Sequence, residues 1–294
     1  MFVEDLELEL TTICNAHCQL CYRNYKEYVQ SKQVRPLQDI IDQLETYPHL
    51  KYIKLVGTES EPTLYKDFFP LVKYIKSRDL IIEICTNGDT NNVVWWQELS
   101  TLMDSRDEVY FTVCGSTQAL HETYRKGTSL KRIIRNMKAF QSENKNDYAQ
   151  CIRFKYNSDD FDSPAFNDVV SQFSNVYWTE TYLKQDINNY IDVENLDALS
   201  PREDKAEEYA KIAKLAEAIS KSDMKKATHC MSWYNKSQQI DINGEVYPCF
   251  LFLESGKKWD GDYTKIHEQK HDICKWCNTT VREICYDKGL QYVL

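Results

Sequence analysis

The sequence predicts an α/β fold: a parallel sheet wrapped by helices, followed by a small cysteine-rich unit. Three observations predict it. Strand-like and helix-like segments alternate through the first two-thirds of the chain, the pattern of a parallel sheet with crossover helices. The strands number about six, short of the eight that close a barrel. Beyond residue 200 the alternation stops and cysteines gather.

The elements follow in order. Leu6–Thr12 reads as the first strand, and Pro36–Thr46 as a helix whose first turn holds Pro36, where a missing N–H is tolerated. Tyr52–Val56 is a strand, Phe68–Ser77 a helix, Leu80–Cys85 a strand and Val94–Asp104 a helix. Glu108–Cys114 is extended, and Leu130–Phe140 is helical with Ile133, Ile134 and Met137 on one face. Gln150–Tyr156 and Val176–Thr181 complete the strands, with a short helix around Phe166–Phe173 between them. A polar stretch over Asn188–Arg202 then leads into a helix, Glu203–Ser220, whose apolar stripe of Tyr209, Ile212, Leu215 and Ile219 reads as packing. The predicted boundary lies near residue 200, giving units 1–200 and 201–294.

Composition bounds the function. The 294 residues suffice for one large domain with a small satellite, and 42% hydrophobic with 28% charged residues is an ordinary globular balance. No apolar run approaches the ~20 residues of a membrane span, and the N-terminus, "MFVEDLELEL", is acidic where a signal segment would be basic. The expected location is the cytoplasm. A net charge of −9 argues against a protein that tracks a nucleic-acid backbone, while leaving a single nucleotide open as substrate. Eleven cysteines in a chain expected in a reducing compartment point to metal or catalysis rather than disulfides.

Three of them, Cys14, Cys18 and Cys21, fall within eight positions after the first strand. A closed zinc or iron–sulfur site takes four protein ligands, and the next cysteine, Cys85, is over sixty residues on. Three thiolates can instead hold three corners of a [4Fe–4S] cube and leave one iron open to a small molecule. The triplet also sits at the C-terminal edge of a β/α sheet, where such folds place their sites. A zinc knuckle borrowing a distant ligand is the competing reading.

This C-x3-C-x2-C segment, with Leu20 before the last cysteine, resembles the radical S-adenosylmethionine (SAM) superfamily. The resemblance implies a partial (β/α)6 barrel over residues 6 to about 182, with SAM chelating the open iron. One electron from the cluster would cleave SAM to methionine and a 5′-deoxyadenosyl radical that takes a hydrogen atom from substrate. "VGTESEPTLYKDF" resembles the family's Gly-Gly-Glu-Pro segment, matching at Glu61 and Pro62 but without the paired glycines. Glu61 is thereby expected to receive the SAM ammonium group, with Glu59 the competing candidate and Ser60 between them in the cofactor-binding segment. "CTNG", Cys85–Gly88, resembles the turn beside the ribose and implicates Asn87. "CGSTQALHETYRKG" resembles the segment after the fourth strand, which implies Ser116 and Arg125 near the SAM carboxylate; a guanidinium grips a carboxylate at two points.

A second set follows: Cys230, Cys249, Cys274 and Cys277, with Asn243-Gly244 as a hairpin turn between the strands "QQIDI" and "EVYPC". The pattern is similar to the twitch domain, the shorter form of the SPASM extension, and implies one auxiliary [4Fe–4S] cluster; a zinc ribbon is the alternative. Cys285 is unassigned. The resemblance further implies an external electron donor of flavodoxin or ferredoxin type. It also implies a peptide or amino-acid-like substrate that is crosslinked, oxidised or epimerised. The first strand begins near Leu6, so no leader-binding module of about eighty residues is expected before it. A sugar or nucleoside substrate, or a non-catalytic iron–sulfur or zinc protein, are the alternatives. Were the enzyme an epimerase, Cys114 or Cys285 would return a hydrogen atom to the substrate radical.

Overall fold

Six strands alternate with helices from the first described residues onward, in a computed structural model that describes residues 3–21, 23, 32–58, 60–144, 146–181, 193–203, 205–207, 210 and 237–248. The strands are β1 (Asp5–Leu8), β2 (Tyr52–Leu55), β3 (Ile81–Thr86), β4 (Glu108–Thr112), β5 (Asp147–Arg153) and β6 (Asn175–Glu180). Between them lie α1 (Leu37–Glu45), α2 (Phe68–Ser77), α3 (Val93–Leu102), α4 (Gln118–Tyr124), α5 (Leu130–Phe140), α6 (Ser158–Phe161) and α7 (Pro164–Val170). Two later strands, β7 (Ser237–Ile240) and β8 (Val246–Tyr247), join the same sheet. Its order is β6-β5-β4-β3-β2-β1-β7-β8, parallel throughout except for the β7–β8 hairpin. This is the mostly parallel sheet of a partial barrel.

The strands are two-faced. Leu6, Leu8, Ile53, Leu55, Ile82, Ile84, Val109 and Phe111 form one core with helix residues Ile40, Leu44, Leu71, Ile75, Trp96, Ile133 and Met137. The helices supply these at the i, i+3, i+4 spacing that makes one apolar stripe, as in Phe68, Leu71, Val72 and Ile75 of α2. Alternate strand residues, Glu7, Lys54, Glu83, Cys85 and Tyr110, belong to the opposite face.

Several boundaries depart from expectation for definable reasons. β1 stops at Leu8 because the chain leaves the ladder once Glu9 N has donated to Ile240 O: Leu10 O then accepts from Arg35 N and Thr11 bridges Val34. β5 begins three residues early. Asp147 anchors its start, its buried carboxylate accepting from Gln141 Nε2, Ser174 N and Ser174 Oγ. Asn157 Oδ1 accepts from Phe154 N and turns the chain at the far end. Cys151, expected at the beginning of its strand, is therefore its fifth residue. The helices α4 and α6 were not anticipated, both being short and rich in polar residues.

The expected Asn-Gly hairpin is present, with a longer loop. Gly244 N donates to Asp241 O and Asp241 N to Glu245 O, with Gly244 at φ +80°. That is a three-residue loop ending in a left-handed residue, which glycine adopts without strain. The hairpin does not stand apart from the first sheet: β7 runs parallel to β1, pairing Asp5 with Ser237 through Leu8 with Ile240. Of the expected helix Glu203–Ser220, residues 203, 205–207 and 210 are described as helical. Cys230, Cys249, Cys274, Cys277, Cys285 and Glu59 lie outside the described residues. Among the described residues no helix is long and apolar enough to cross a membrane.

Helix α3 tests the local logic. Asn92 Oδ1 accepts from Trp95 N at 3.0 Å and caps the helix that carries Trp96 into the core. Asn92→Ala is expected to lower unfolding free energy by about 1 kcal/mol, measured by denaturant titration, with the fold retained.

Candidate functional site

β1 delivers the chain to the C-terminal edge of the sheet, and the cysteine loop begins there. Thr11 Oγ1 accepts from Ile13 N and donates to Gln33 O, holding the loop's entry. His17 N donates to Lys126 O at 2.8 Å, Gln19 N to Tyr124 O and Gln19 Nε2 to Thr123 O. The loop is thus pinned to the last residues of α4 and the segment that follows. Cys14, Cys18 and Cys21 are in no disulfide.

The three thiols feel one another. Burial, and then the neighbouring Cys18, pushes the Cys21 thiol up to about 11. Burial, and then the Glu61 carboxylate, raises Cys14. Bare thiolates are therefore disfavoured here, and a cationic metal centre would offset that cost while displacing protons. Among the described residues no three His, Cys, Asp or Glu side chains are arranged to hold a single metal ion. A cluster, whose ligands attach to different irons, does not need them to converge on one point.

Arg125 completes the fit. Its Nη1 donates to Cys18 Sγ at 3.4 Å and its Nη2 to Thr112 Oγ1 at 3.0 Å, while Nε is sealed from solvent with no partner. A half-buried cation on the Cys18 sulfur, with its Nε sealed, suits an anionic thiolate-bound group. The segment after β4 that carries Arg125 is itself fixed by His121. His121 Nδ1 accepts from Cys114 N, so Nε2 carries the proton that Thr128 Oγ1 accepts at 2.9 Å. Burial, and then Arg125, lowers this imidazole to about 3, keeping it neutral.

The other expected residues take definite places. Glu61 is 2% exposed, and its backbone N donates to Ile13 O, tying the segment after β2 to the cysteine loop. Its Oε1 accepts from Thr63 N, Thr63 Oγ1 and Thr86 Oγ1, and its Oε2 from Asn87 N at 2.7 Å. The carboxylate expected to meet an ammonium group is already hydrogen-bonded on both oxygens. Burial raises its pKa against the pull of these donors. Asn87 reaches Asn15 Oδ1 at 2.8 Å and approaches Cys14 Sγ at 4.0 Å. It follows the end of β3 at a turn where Gly88 has φ +70° and any Cβ would stand 2.7 Å from the Phe111 ring. Ser116, expected at the SAM carboxylate, gives its N and Oγ to the Asp160 carboxylate, so an internal anion holds its donors. Ser60 Oγ donates to Glu9 Oε2. Cys114 is wholly buried, with Arg125 and Cys18 as its electrostatic neighbours, and burial pushes it up to about 11.

Sequence reasoning passed over Glu9, Asn15, Thr112, His121 and Asp160. Glu9 had a readable signal. It is buried at 4% exposure and accepts from Thr58 N and Ser60 Oγ, organising the segment after β2. In "LELEL" the acids alternate with leucines, so Glu7 and Glu9 share the sheet face opposite the core. The others became legible only through contacts across 38 or more residues or through a turn of the chain.

The face opposite the helices carries a row across neighbouring strands, Gln239, Glu7, Lys54, Glu83 and Glu108. Lys54 Nζ lies 3.3 Å from Asp5 and 3.7 Å from Glu83. Tyr110 and Tyr148, stacked at 4.5 Å, both donate to Glu108. Burial raises Glu7 to about 7, above its ordinary 4.5. The folded state therefore holds this proton more tightly than the unfolded chain. Its contribution is full below pH 4.5 and is lost as pH rises through about 7. Glu7→Gln is expected to flatten the fall in stability between pH 5 and 8 by on the order of 1–2 kcal/mol, the shift being discounted for partial exposure. Unfolding titrations of both proteins across that range measure it.

A parallel β/α sheet with a three-thiol loop at its C-terminal edge defines a cluster-binding barrel of the kind that uses SAM. Residues 8–153 match the family model described as "Radical SAM superfamily", and the chain belongs to that superfamily. The family's cofactors, SAM and a [4Fe–4S] cluster, are this chain's. Among curated relatives it is 33% identical over 109 residues to the tungsten-containing aldehyde ferredoxin oxidoreductase cofactor-modifying protein of Pyrococcus furiosus, covering 37% of this chain and 30% of that one. It is 29% identical over 133 residues to mycofactocin maturase MftC of Mycobacterium ulcerans, covering 44% and 34%. The matched segment thus spans about a third of the length of these relatives. Among solved structures, Streptococcus suis SuiB bound to S-adenosylmethionine superposes with a TM-score of 0.65 at 16% identity, over 95% of this chain and 72% of that one. SuiB bound to precursor peptide SuiA gives 0.61 at 15%, over 96% and 66%.

Proposed function

We propose that this radical SAM enzyme modifies a peptide or amino-acid-like substrate, with Cys14, Cys18 and Cys21 holding the cluster that SAM chelates. The observation that carries the cluster assignment is the cysteine loop at the sheet edge, pinned to the segment of Arg125, with that guanidinium on Cys18 Sγ. When bound, the cluster supplies the electron that cleaves SAM and so generates the radical that removes a substrate hydrogen atom. The protein's own residues shape the place where this happens. Glu61 and Asn87 join the ends of β2 and β3 to the cysteine loop, and His121 and Thr112 hold Arg125 from the side of β4. Peptide chemistry is favoured because SuiB is seen with a precursor peptide and MftC is named a maturase. We place the chain in the SPASM/twitch subgroup, with Cys230, Cys249, Cys274 and Cys277 as ligands of one auxiliary [4Fe–4S] cluster and an external flavodoxin- or ferredoxin-type donor.

The test is anaerobic reconstitution with iron and sulfide, then incubation with SAM and dithionite. Formation of 5′-deoxyadenosine is expected. Faster formation with a peptide encoded beside this gene, and deuterium transfer from that peptide into 5′-deoxyadenosine, would support the substrate class. Deuterium transfer from a sugar or nucleoside instead would replace it.

A further inference from the structure

The resemblance implies a place for Arg125 beside the SAM carboxylate; in the structure its guanidinium also reaches the cysteine loop, at Cys18 Sγ. We infer that Arg125 is a positioning residue for the cluster, a counter-ion and hydrogen-bond donor to the Cys18 sulfur that raises the reduction potential. The inference rests on the assignment of the cluster to Cys14, Cys18 and Cys21.

Three observations carry it. First, Arg125 Nη1 points at Cys18 Sγ at 3.4 Å and Nη2 is held by Thr112 Oγ1 at 3.0 Å, so the guanidinium is locked in an orientation that serves the sulfur. Thr112 is itself buried at the end of β4 and donates onward to Thr86 O or Gln150 Oε1. Second, the cation lacks a carboxylate. Among the described residues no Asp or Glu pairs with it, and its stabilising neighbours are Cys18, Tyr124 and Cys114. A half-buried cation whose Nε is sealed and which has no anion is costly. With Cys18 as a thiolate ligand the anion is supplied by the site itself. Third, one side of the guanidinium is aromatic and backed by an apolar cluster. The guanidinium lies over the Tyr124 ring at 5.3 Å, and Leu20, Phe154 and Leu199 form a buried cluster against Tyr124 and Tyr156. Low local polarity strengthens a charge–sulfur contact.

The consequence is electrochemical. Reduction adds a negative charge to the cluster, and a fixed cation with an N–H···S contact stabilises the reduced form more than the oxidised one. Removing it lowers the potential. The backbone around Arg125 is built to hold this pose, since Arg125 N donates to His121 O and Thr128 Oγ1 donates to Arg125 O.

The experiment is a redox titration of the reconstituted full-length protein without SAM, followed by electron paramagnetic resonance, on wild type, Arg125→Gln, Arg125→Lys and Thr112→Val. An auxiliary cluster is separated by repeating the titration on a protein lacking the Cys14 triplet. Arg125→Gln is expected to disfavour reduction of the SAM-site cluster at least tenfold, a fall of about 59 mV for a one-electron couple. Arg125→Lys, which keeps the charge but not the fork, and Thr112→Val, which frees the guanidinium, should fall between. These two milder variants keep the proposal open to test if Arg125→Gln loses its iron. An unchanged midpoint in the variants that retain iron, with weakened SAM affinity by calorimetry, would overturn the proposal in favour of the carboxylate clamp. A wild type that holds no redox-active cluster at Cys14, Cys18 and Cys21 would overturn the cluster assignment, and the proposal with it.

Discussion

Cys14→Ala, Cys18→Ala and Cys21→Ala are each expected to abolish 5′-deoxyadenosine formation and to remove the iron of the barrel site. The loop that carries them is held by hydrogen bonds at Ile13, His17 and Gln19, none of which uses a thiol. Loss of one sulfur should therefore leave the loop in place while deleting a corner of the cluster. The remaining pair presents one thiolate ligand and one negative charge fewer, so it cannot substitute for the triplet. Iron and sulfide analysis, the visible spectrum and product chromatography measure the outcome together. Wild-type yield of 5′-deoxyadenosine in any one variant would sink the assignment. Some loss of folded protein is also expected, because cluster binding and folding are linked.

Glu61→Ala is expected to lower unfolding free energy by about 3–5 kcal/mol, since it strands several buried donors at a cost of about 1–3 kcal/mol each before relaxation. The donors are Thr63 N, Thr63 Oγ1, Thr86 Oγ1 and Asn87 N, contributed by segments after β2 and at the end of β3. Glu61→Gln should cost less, because its carbonyl keeps one set of donors while its NH2 confronts another. A carboxylate offers roughly four acceptor sites; three donors crowd Oε1 and one reaches Oε2, so most of its capacity is spent inside the protein. The larger effect is therefore expected in denaturant unfolding of the free protein. If stability is unchanged in Glu61→Gln while SAM affinity drops by about 1.5–3 kcal/mol, the scale of a charged hydrogen bond, the ammonium role stands instead.

The alternation of strands and helices was legible because its cause is local. Leu6, Leu8, Ile82 and Ile84 repeat every second residue, and Phe68, Leu71, Val72 and Ile75 every third or fourth, since each element buries one face in the same core. The cysteine triplet was legible for a similar reason: three ligands within one loop need no knowledge of the rest of the chain. Strand ends were less so. Where β1 and β5 stop depends on Arg35 N meeting Leu10 O and Asn157 Oδ1 meeting Phe154 N, partners set by the path of the chain rather than by periodicity.

By itself, then, the sequence determined the β/α class, the apolar faces and the placement of Cys14, Cys18 and Cys21 after the first strand, all consequences of spacing along the chain. Only the tertiary structure decided what the polar residues of the site touch. Glu61 is bound by donors from two loops, Ser116 by Asp160 forty-four residues on, and Arg125 by Cys18 at a separation of 107. It likewise decided that the β7–β8 hairpin lies against β1. The physical reason is that a hydrophobic stripe is selected by which face is buried, a property of one element. A buried charge or hydrogen-bonding group takes whichever partner the folded chain brings within about 3 Å.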